Sequence, residues 1–195
     1  MPAHAPQDQI PARGERPRLA WGLTGSGHWL RETLDFILTL DDVDLFLTRA
    51  AAEVLGNYGY RQEALRERVR IYQDHTASSV PVGFLYDGNY HTLVVGPATS
   101  NTVAKCVAGI SDTLVTNLYA QAGKCRIPAI VFACDTEPTV ITEAPGRTVT
   151  LYPRPIDLDN SARLASYPFT TVVDDLAGLQ SAVQRRLSCL NTSCS

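Results

Sequence analysis

Leu19-Ala-Trp-Gly-Leu-Thr-Gly-Ser-Gly27 is the stretch that decides the fold, because it runs from a short apolar segment into a glycine turn. A helical pattern follows, with Leu30, Leu34, Ile37 and Leu38 on one face. A strand, a tight turn and a helix in this order predict the first β–α unit of an α/β protein.

The same alternation continues along the chain. Predicted strands cover residues 43–47, 80–86, 91–95, 127–133, 148–152 and 169–173, and predicted helices cover residues 50–55, 60–73, 99–110, 112–122 and 174–187. Strands that alternate with helices imply right-handed crossovers, so we predict a doubly wound α/β fold with a mainly parallel sheet and helices on both faces. Residues 18–188 are predicted to form one domain, with a flexible N-terminal tail at 1–17 and a polar C-terminal tail at 189–195.

The composition argues against several classes of function. The net charge of −3 offers no basic surface for nucleic acid. No apolar run approaches the ~20 residues of a membrane span. The five cysteines show no CxxC spacing, so neither a disulfide framework nor a metal site is predicted. We therefore expect a cytoplasmic protein with reduced thiols.

Three strand ends carry residues suited to an anion. They are the turn 24–27, the pair Thr48-Arg49, and the run Gly96-Pro-Ala-Thr-Ser-Asn-Thr102. Glycines let the backbone approach a phosphate, and a following helix N-terminus offers free amides. The alternatives are a plain tight turn at 24–27 and simple helix capping by Thr48 or Thr99. Ligands of such sheets bind outside the carboxyl ends of the strands, where all three segments are expected.

The third segment carries a family resemblance. Pro97-Ala-Thr-Ser-Asn-Thr102, continued by Ala104-Lys105, Gly109-Ile110, Asp112 and Leu114, resembles the PASANT signature of the homo-oligomeric, flavin-containing cysteine decarboxylases and their relatives. That superfamily also includes prenyl-flavin synthases and the archaeoflavoprotein and dihydromethanopterin reductase branch.

The resemblance implies FMN as cofactor. The residues it assigns to the phosphate are Gly25, Ser26, Gly27 and Thr48, and those it assigns to the flavin are Ala98, Thr99, Ser100, Asn101 and Thr102, with Gly109 allowing close packing nearby. It also implies a homo-oligomer, a trimer or a multiple of three, because one small domain cannot enclose the flavin ring. Residues 109–122 are our candidate for the subunit contact.

Two departures bear on the reaction. Residues 77–81 lack the active-site His of the decarboxylases, although His75 lies slightly earlier. After the strand at 127–133 the chain reads Cys134-Asp-Thr-Glu-Pro138 in place of a Pro-x-Met-Asn substrate clamp. Decarboxylation of a cysteine-containing substrate is therefore the alternative rather than the main hypothesis. A non-catalytic FMN carrier is the other alternative.

The last third of the chain is similar to the dihydromethanopterin reductase branch, with Arg154 and Asp157 after a strand. These two residues form either a structural ion pair or contacts to a subunit or a pterin. The resemblance implies an oxidoreductase in which bound FMN passes electrons to a pterin-like acceptor. The donor is expected to be external, because the chain has no dinucleotide fingerprint and no iron–sulfur cysteine set.

Three residues are the expected contacts to the acceptor. They are Asn101, Cys134 and Asp135. For Cys134 the alternative is an inert buried thiol, and for Asp135 it is a solvated turn residue.

Overall fold

The structure of the protein is a computed structural model that describes residues 17–74 and 80–192. The strands, numbered along the chain, are β1 (Arg18–Leu23), β2 (Val43–Leu47), β3 (Arg70–Gln73), β4 (Tyr90–Ala98), β5 (Ala129–Ala133), β6 (Val140–Ala144), β7 (Arg147–Leu151) and β8 (Thr170–Val173). Six of them form one sheet in the order β3-β2-β1-β4-β5-β8, and all five neighbouring pairs are parallel. The predicted doubly wound α/β fold is confirmed.

Helices cover both faces of this sheet. They are α1 (Leu30–Ile37), α2 (Arg49–Asn57), α3 (Gln62–Arg66), α4 (Ser100–Ala108), α5 (Leu114–Lys124), α6 (Pro155–Ala165) and α7 (Leu176–Thr192), with a 3₁₀ helix at Val80–Leu85. Apolar side chains of α1, α2 and α7 pack into one core cluster, and those of the 3₁₀ helix, α4, α5 and α6 pack into the other. Strand β5 is apolar along its whole length and β1 is apolar from Leu19 onward, because both faces of these strands are buried.

The strand order creates a crevice between β1 and β4. From β1 the chain moves outward to β2 and β3, and from β4 it moves outward in the opposite direction to β5 and β8. The loops that follow β1 and β4 therefore diverge, and the space between them at the carboxyl edge is where such folds bind ligands.

The predicted helix over residues 60–73 is wrong. The structure has the short helix α3 and then strand β3, which pairs in parallel with β2. Leu65, Val69 and Tyr72 have helical spacing and are all buried, but they reach the core from different elements. Pairing of Ile71 and Tyr72 with β2 overrides the local helical pattern.

Four other elements differ from the prediction in type, bounds or pairing. Residues 80–85 form a 3₁₀ helix instead of a strand. Strand β4 continues through Pro97 to Ala98. The late strand is β7, which pairs antiparallel with the unpredicted strand β6 as a hairpin outside the main sheet. The final helix extends to Thr192 because its apolar and polar residues continue without a breaker, so 189–192 are helical rather than part of a tail.

Parts of the predictions lie outside the described residues. These parts are the N-terminal tail up to residue 16, the last residues 193–195, and residues 75–79 with His75. None of the helices in residues 17–74 and 80–192 combines the length and the apolar character that crossing a lipid bilayer requires.

Candidate functional site

A cleft of about 710 Å³ opens at the carboxyl edge of the sheet, beside the point where the loops after β1 and β4 diverge. Its walls come from the loops after β1, β2, β3 and β4 and from the start of α5. The residues that line it are Gly25, Thr48, Arg49, Ala50, Glu53, Asp74, Thr99, Asn101, Thr102, Lys105, Asp112 and Thr113.

The glycine turn lies closely against α2. A Cβ at Gly25 would lie 2.7 Å from the Cβ of Ala50, and a Cβ at Gly27 would lie 2.0 Å from the hydroxyl oxygen of Tyr58. Both distances are too short for any side chain, so the turn needs glycine for close approach to α2. The requirement at Gly27 comes from Tyr58, whose hydroxyl donates to the carbonyl of Glu143 in β6 at 2.7 Å.

Thr24 joins the two diverging loops. Its buried hydroxyl donates to the carbonyl of Pro97 at 2.6 Å and accepts from the backbone amide of Thr99 at 3.1 Å. Because both contacts cross from the β1 loop to the β4 loop, the two walls of the cleft are fixed relative to each other.

Helices α2, α4 and α5 begin at the cleft with hydroxyl caps. In α5 the Thr113 hydroxyl accepts from the amide of Thr116 at 3.2 Å. The Thr48 hydroxyl accepts from the amide of Ala51 at 3.0 Å, and the Thr99 hydroxyl accepts from the amide of Thr102 at 3.2 Å. Neither α2 nor α4 has an acidic residue in its first turn. Their remaining free amides and the positive ends of their dipoles therefore suit an anion. Arg49 adds a positive charge, and within residues 17–74 and 80–192 its guanidinium forms no ion pair.

A second polar group lies beside the cleft, between the loops after β1 and β5. The Cys134 thiol donates to the Ser26 hydroxyl at 3.2 Å, and that hydroxyl lies 3.4 Å from the carbonyl of His28. Burial raises the pKa of the Cys134 thiol to about 12. The thiol therefore stays protonated at neutral pH and acts as a hydrogen-bond donor rather than as a nucleophile.

His28 connects this group to the hairpin. One of its ring nitrogens, Nδ1, lies 2.9 Å from the Thr142 hydroxyl of β6. Burial lowers the pKa of His28 below its usual value, while the negative charges of Asp135 and Glu32 oppose that effect. The contacts made by His28 and Tyr58 together hold the hairpin beside the glycine turn.

The structure brings most of the predicted site residues together. Gly25, Thr48, Thr99, Asn101 and Thr102 line the cleft, and Ser26, Ser100, Cys134 and Asp135 lie in the adjoining polar group. Ala98 is fully buried at the end of β4, where its carbonyl accepts from the amide of Cys134 at 3.1 Å.

Gly109 does not line the cleft. It ends α4 in a left-handed conformation with φ of 72°, and no atom lies within 4 Å of where its Cβ would be. The positive φ of the helix C-cap is sufficient reason for a glycine there.

The predicted subunit contact at 109–122 is partly buried within the protomer. Leu114, Val115, Leu118 and Ala122 are fully buried within the protomer, where they pack against the sheet, so they are not free to contact another subunit. Ile110, in the same segment, is exposed. Further exposed apolar side chains lie on the hairpin and just after it. They are Ile141, Leu151, Tyr152 and Ile156.

Arg154 and Asp157 form the structural ion pair that was one of the two alternatives. The guanidinium lies 2.8 Å from the carboxylate, and the same carboxylate accepts from the backbone amide of Arg154 at 2.9 Å. These hydrogen bonds lower the pKa of Asp157.

Sequence reasoning missed several residues of the cleft. Asp74 follows β3, where a helix was predicted, and its carboxylate accepts from the amide of Leu114 at 3.0 Å. Lys105 forms an ion pair with Asp112 at 2.8 Å across the loop between α4 and α5. The signal for Asp74 was the apolar Ile71-Tyr72 pair before it, which marks a strand end once β3 is recognised.

Comparison with known proteins gives consistent matches. The Flavoprotein family model matches residues 9–194. The crystal structure of DmrB from Burkholderia xenovorans in complex with FMN, described as a cubic protein cage for redox transfer, is 56% identical with a TM-score of 0.84, over 90% of this chain and 97% of that chain. An uncharacterised protein of Methanocaldococcus jannaschii is 34% identical over 87% of this chain and 96% of its own length.

A reductase is also similar over part of its length. Dihydromethanopterin reductase (acceptor) of Methanosarcina mazei is 38% identical over 66% of this chain. The matched region spans 59% of that reductase.

Proposed function

Since this chain belongs to the Flavoprotein family, we propose that it is an FMN-dependent oxidoreductase that passes electrons from an external donor to a pterin-like acceptor. The observation that carries the proposal is the cleft where the hydroxyl-capped N-termini of α2 and α4 meet the glycine turn. The similarity to the FMN-binding DmrB and to dihydromethanopterin reductase supports it.

The residues of the cleft fit FMN. A volume of about 710 Å³ lies within the range of sites that enclose small molecules. The α2 end combines free amides, the Thr48 hydroxyl and the Arg49 guanidinium, which together suit a dianionic phosphate. Gly25 keeps the backbone open there, because a Cβ would fill the space against Ala50.

The phosphate and the ring would be held by different parts of the site. Gly25, Ser26, Thr48 and Arg49 would bind the phosphate, while Thr99, Ser100 and Asn101 would orient the flavin. When bound, FMN supplies the electron-transfer chemistry, because a flavin can accept and release electrons in pairs or singly. The residues of the chain would bind the phosphate, orient the flavin ring and shield it from solvent.

Asn101 and Asp135 are the groups proposed to meet the acceptor. Asn101 is exposed on the first turn of α4, and Asp135 contacts Ser100 on the same turn. Cys134 takes a supporting role in this proposal, because its buried thiol donates to Ser26.

The proposal includes assembly and location. DmrB of Burkholderia xenovorans forms a cage, which supports a homo-oligomer for this chain, and a trimer as its building unit follows from the family resemblance. The hairpin, with Ile141 and Leu151 exposed, is the better candidate for a subunit contact than α5. A cytoplasmic location stays part of the proposal.

Anaerobic reoxidation tests this function. The flavin-loaded protein is reduced chemically and mixed with dihydromethanopterin or a folate-like analogue while the visible spectrum is recorded. Reoxidation faster than in buffer alone is expected. A flavin that stays reduced with every pterin, together with carbon dioxide release from a cysteine-terminated substrate, would favour the decarboxylase alternative.

A further inference from the structure

Asp135 is a half-buried carboxylate without a cation. It follows β5 directly, and the described part of the chain holds no lysine or arginine within ion-pair distance of it. A partly buried carboxylate is costly unless other groups satisfy it. Glu137, two residues later, is exposed instead.

One oxygen of this carboxylate is fixed in place. The Ser100 hydroxyl donates to Oδ2 in a short contact, which ties the loop after β5 to the first turn of α4. A carboxylate has about four lone-pair positions, so Oδ1 and one position on Oδ2 are left for a ligand. Because Ser100 orients the group, these positions face a defined direction rather than rotating freely.

The charged groups around Asp135 do not satisfy it. His28 faces it across the loop after β1, but the ring of His28 is engaged with Thr142, and burial lowers the pKa of His28. Glu32 of α1 acts on the same histidine and is also negative. The neighbouring Cys134 thiol donates to Ser26 and not to Asp135.

The geometry points to Asp135 as a specificity-determining residue that accepts two parallel N–H donors from the acceptor. This inference rests on the proposed function and names the chemical class of its substrate, a fused pyrimidine with a 2-amino-4-oxo edge. That edge presents the ring N3–H beside the 2-amino N–H, which matches the two oxygens of a carboxylate. The flavin ring edge presents one N–H between two carbonyls, and a carboxylate would face at least one of those carbonyl oxygens.

A pair of ligands that differ only at this edge tests the inference. Pterin carries 2-amino-4-oxo groups, and lumazine carries 2,4-dioxo groups. Their affinities for the oxidised, FMN-loaded protein are measured by titration calorimetry, which needs no turnover. The wild-type protein should bind pterin at least about tenfold more tightly than lumazine, since lumazine leaves one carboxylate oxygen unpaired.

Variants at two positions sharpen the test. Asp135→Asn should abolish or invert the preference, because an amide offers one acceptor and one donor and so matches lumazine better. Glu137→Gln removes a nearby charge and should keep the wild-type preference. Asp135→Ser gives a second variant without the carboxylate, and thermal melting of each variant shows whether it is folded.

Three outcomes of the pterin and lumazine titrations would overturn the inference. They are equal binding of pterin and lumazine by the wild type, binding of neither, and a preference that survives in both folded Asp135 variants. A loss of FMN affinity in Asp135→Asn as large as the loss of pterin affinity also overturns it, because the carboxylate would then serve the cofactor. The reoxidation experiment decides the proposed function separately, so the two failures are distinguishable.

Discussion

Helices α2 and α4 differ from α6 and α7 in how their N-termini are capped. The first two begin at the cleft with the neutral hydroxyls of Thr48 and Thr99. The last two begin with carboxylates, where Asp157 accepts from the amide of Arg154 and Asp175 from the amide of Gly178. A carboxylate neutralises the positive end of a helix dipole, whereas a hydroxyl leaves it available. The chain therefore places no carboxylate in the caps or first turns of α2 and α4, where a phosphate would bind.

Giving α2 the same kind of cap as α7 should have the largest effect. Thr48→Asp keeps a good N-cap, so the free energy of unfolding should change by less than about 1 kcal/mol. The added charge faces the phosphate, so FMN affinity should fall at least roughly 100-fold, or about 2.7 kcal/mol. Titration calorimetry measures the affinity, and thermal melting measures the stability.

The reverse exchange is the control. Asp175→Thr changes the cap of α7, which makes no part of the cleft, and should leave FMN affinity unchanged. If Thr48→Asp bound FMN as tightly as the wild type, the difference between the two kinds of cap would have no role in binding.

Closing the gap between the glycine turn and α2 should have the next largest effect. Gly25→Ala places a Cβ 2.7 Å from that of Ala50, and we expect a loss of about 1–3 kcal/mol of stability. FMN affinity should fall by about tenfold or more, because the turn must move away from the end of α2. Chemical denaturation and flavin fluorescence titration check both values.

Gly56→Ala, in α2 itself, gives the matched comparison. Nothing lies within 4 Å of its Cβ position, so the substitution should raise stability by about 0.5–1 kcal/mol and leave flavin binding alone. Equal behaviour of the two alanine variants would be inconsistent with a packed glycine turn.

Removing one phosphate donor should have a smaller effect. Ser26→Ala deletes a hydroxyl whose contact to the carbonyl of His28 is long, at 3.4 Å, so its proton is available to a ligand. FMN affinity should fall roughly tenfold, as expected for one hydrogen bond to a charged group. Cys134→Ser keeps a donor to Ser26 and should bind FMN nearly as well as the wild type. An unchanged affinity in Ser26→Ala would make residues 24–27 an ordinary turn.

Asp157, the carboxylate at the start of α6, should contribute to the stability of the fold but not to FMN binding. Its contribution should disappear at acidic pH. Hydrogen bonds from Arg154 lower the pKa of Asp157 in the folded protein. Its ionised form therefore stabilises the fold above the unfolded pKa near 3.9, and this contribution is lost as the pH falls through the lower folded pKa. Unfolding at several pH values should show Asp157→Asn less stable than the wild type at pH 6, with a gap that closes toward pH 2.

The exposed neighbour Asp159 provides the control for this pH dependence. Asp159→Asn should show no such gap. FMN affinity should be unaffected in both variants, because neither residue lines the cleft. A constant difference between Asp157→Asn and the wild type down to pH 2 would contradict the role of the ion pair.

The β1–α1 and β4–α4 units could be predicted from the sequence because the residues that indicate them are close together along the chain. Apolar strands, Gly25 and the capping threonines lie within a few residues of one another. Strand β3 was missed because its placement depends on pairing with β2, and its own residues also fit a helix. Strand β6 of the hairpin was missed and only β7 was predicted. Most side chains of the hairpin are exposed or only partly buried, so its sequence lacks the clear apolar pattern of a buried strand.

The same distinction between local and long-range signals applies to the residues of the site. Residues at helix starts, such as Thr48 and Thr99, could be identified because a threonine directly before a helical pattern indicates an N-cap. Asp74 could not, because its position follows from the missed strand β3. The contacts of Cys134 with Ser26 and of Asp135 with Ser100 join segments that are far apart in sequence, and only the fold brings them together.

Parallel titration of the flavin-free protein with FMN and with riboflavin tests the central claim most directly. The two ligands differ only in the phosphate that the α2 end of the cleft is proposed to hold. We expect FMN to bind at least about 100-fold more tightly than riboflavin, and we expect Thr48→Asp to abolish most of that difference. Equal affinity for the two flavins, or no binding of FMN at all, would contradict the account.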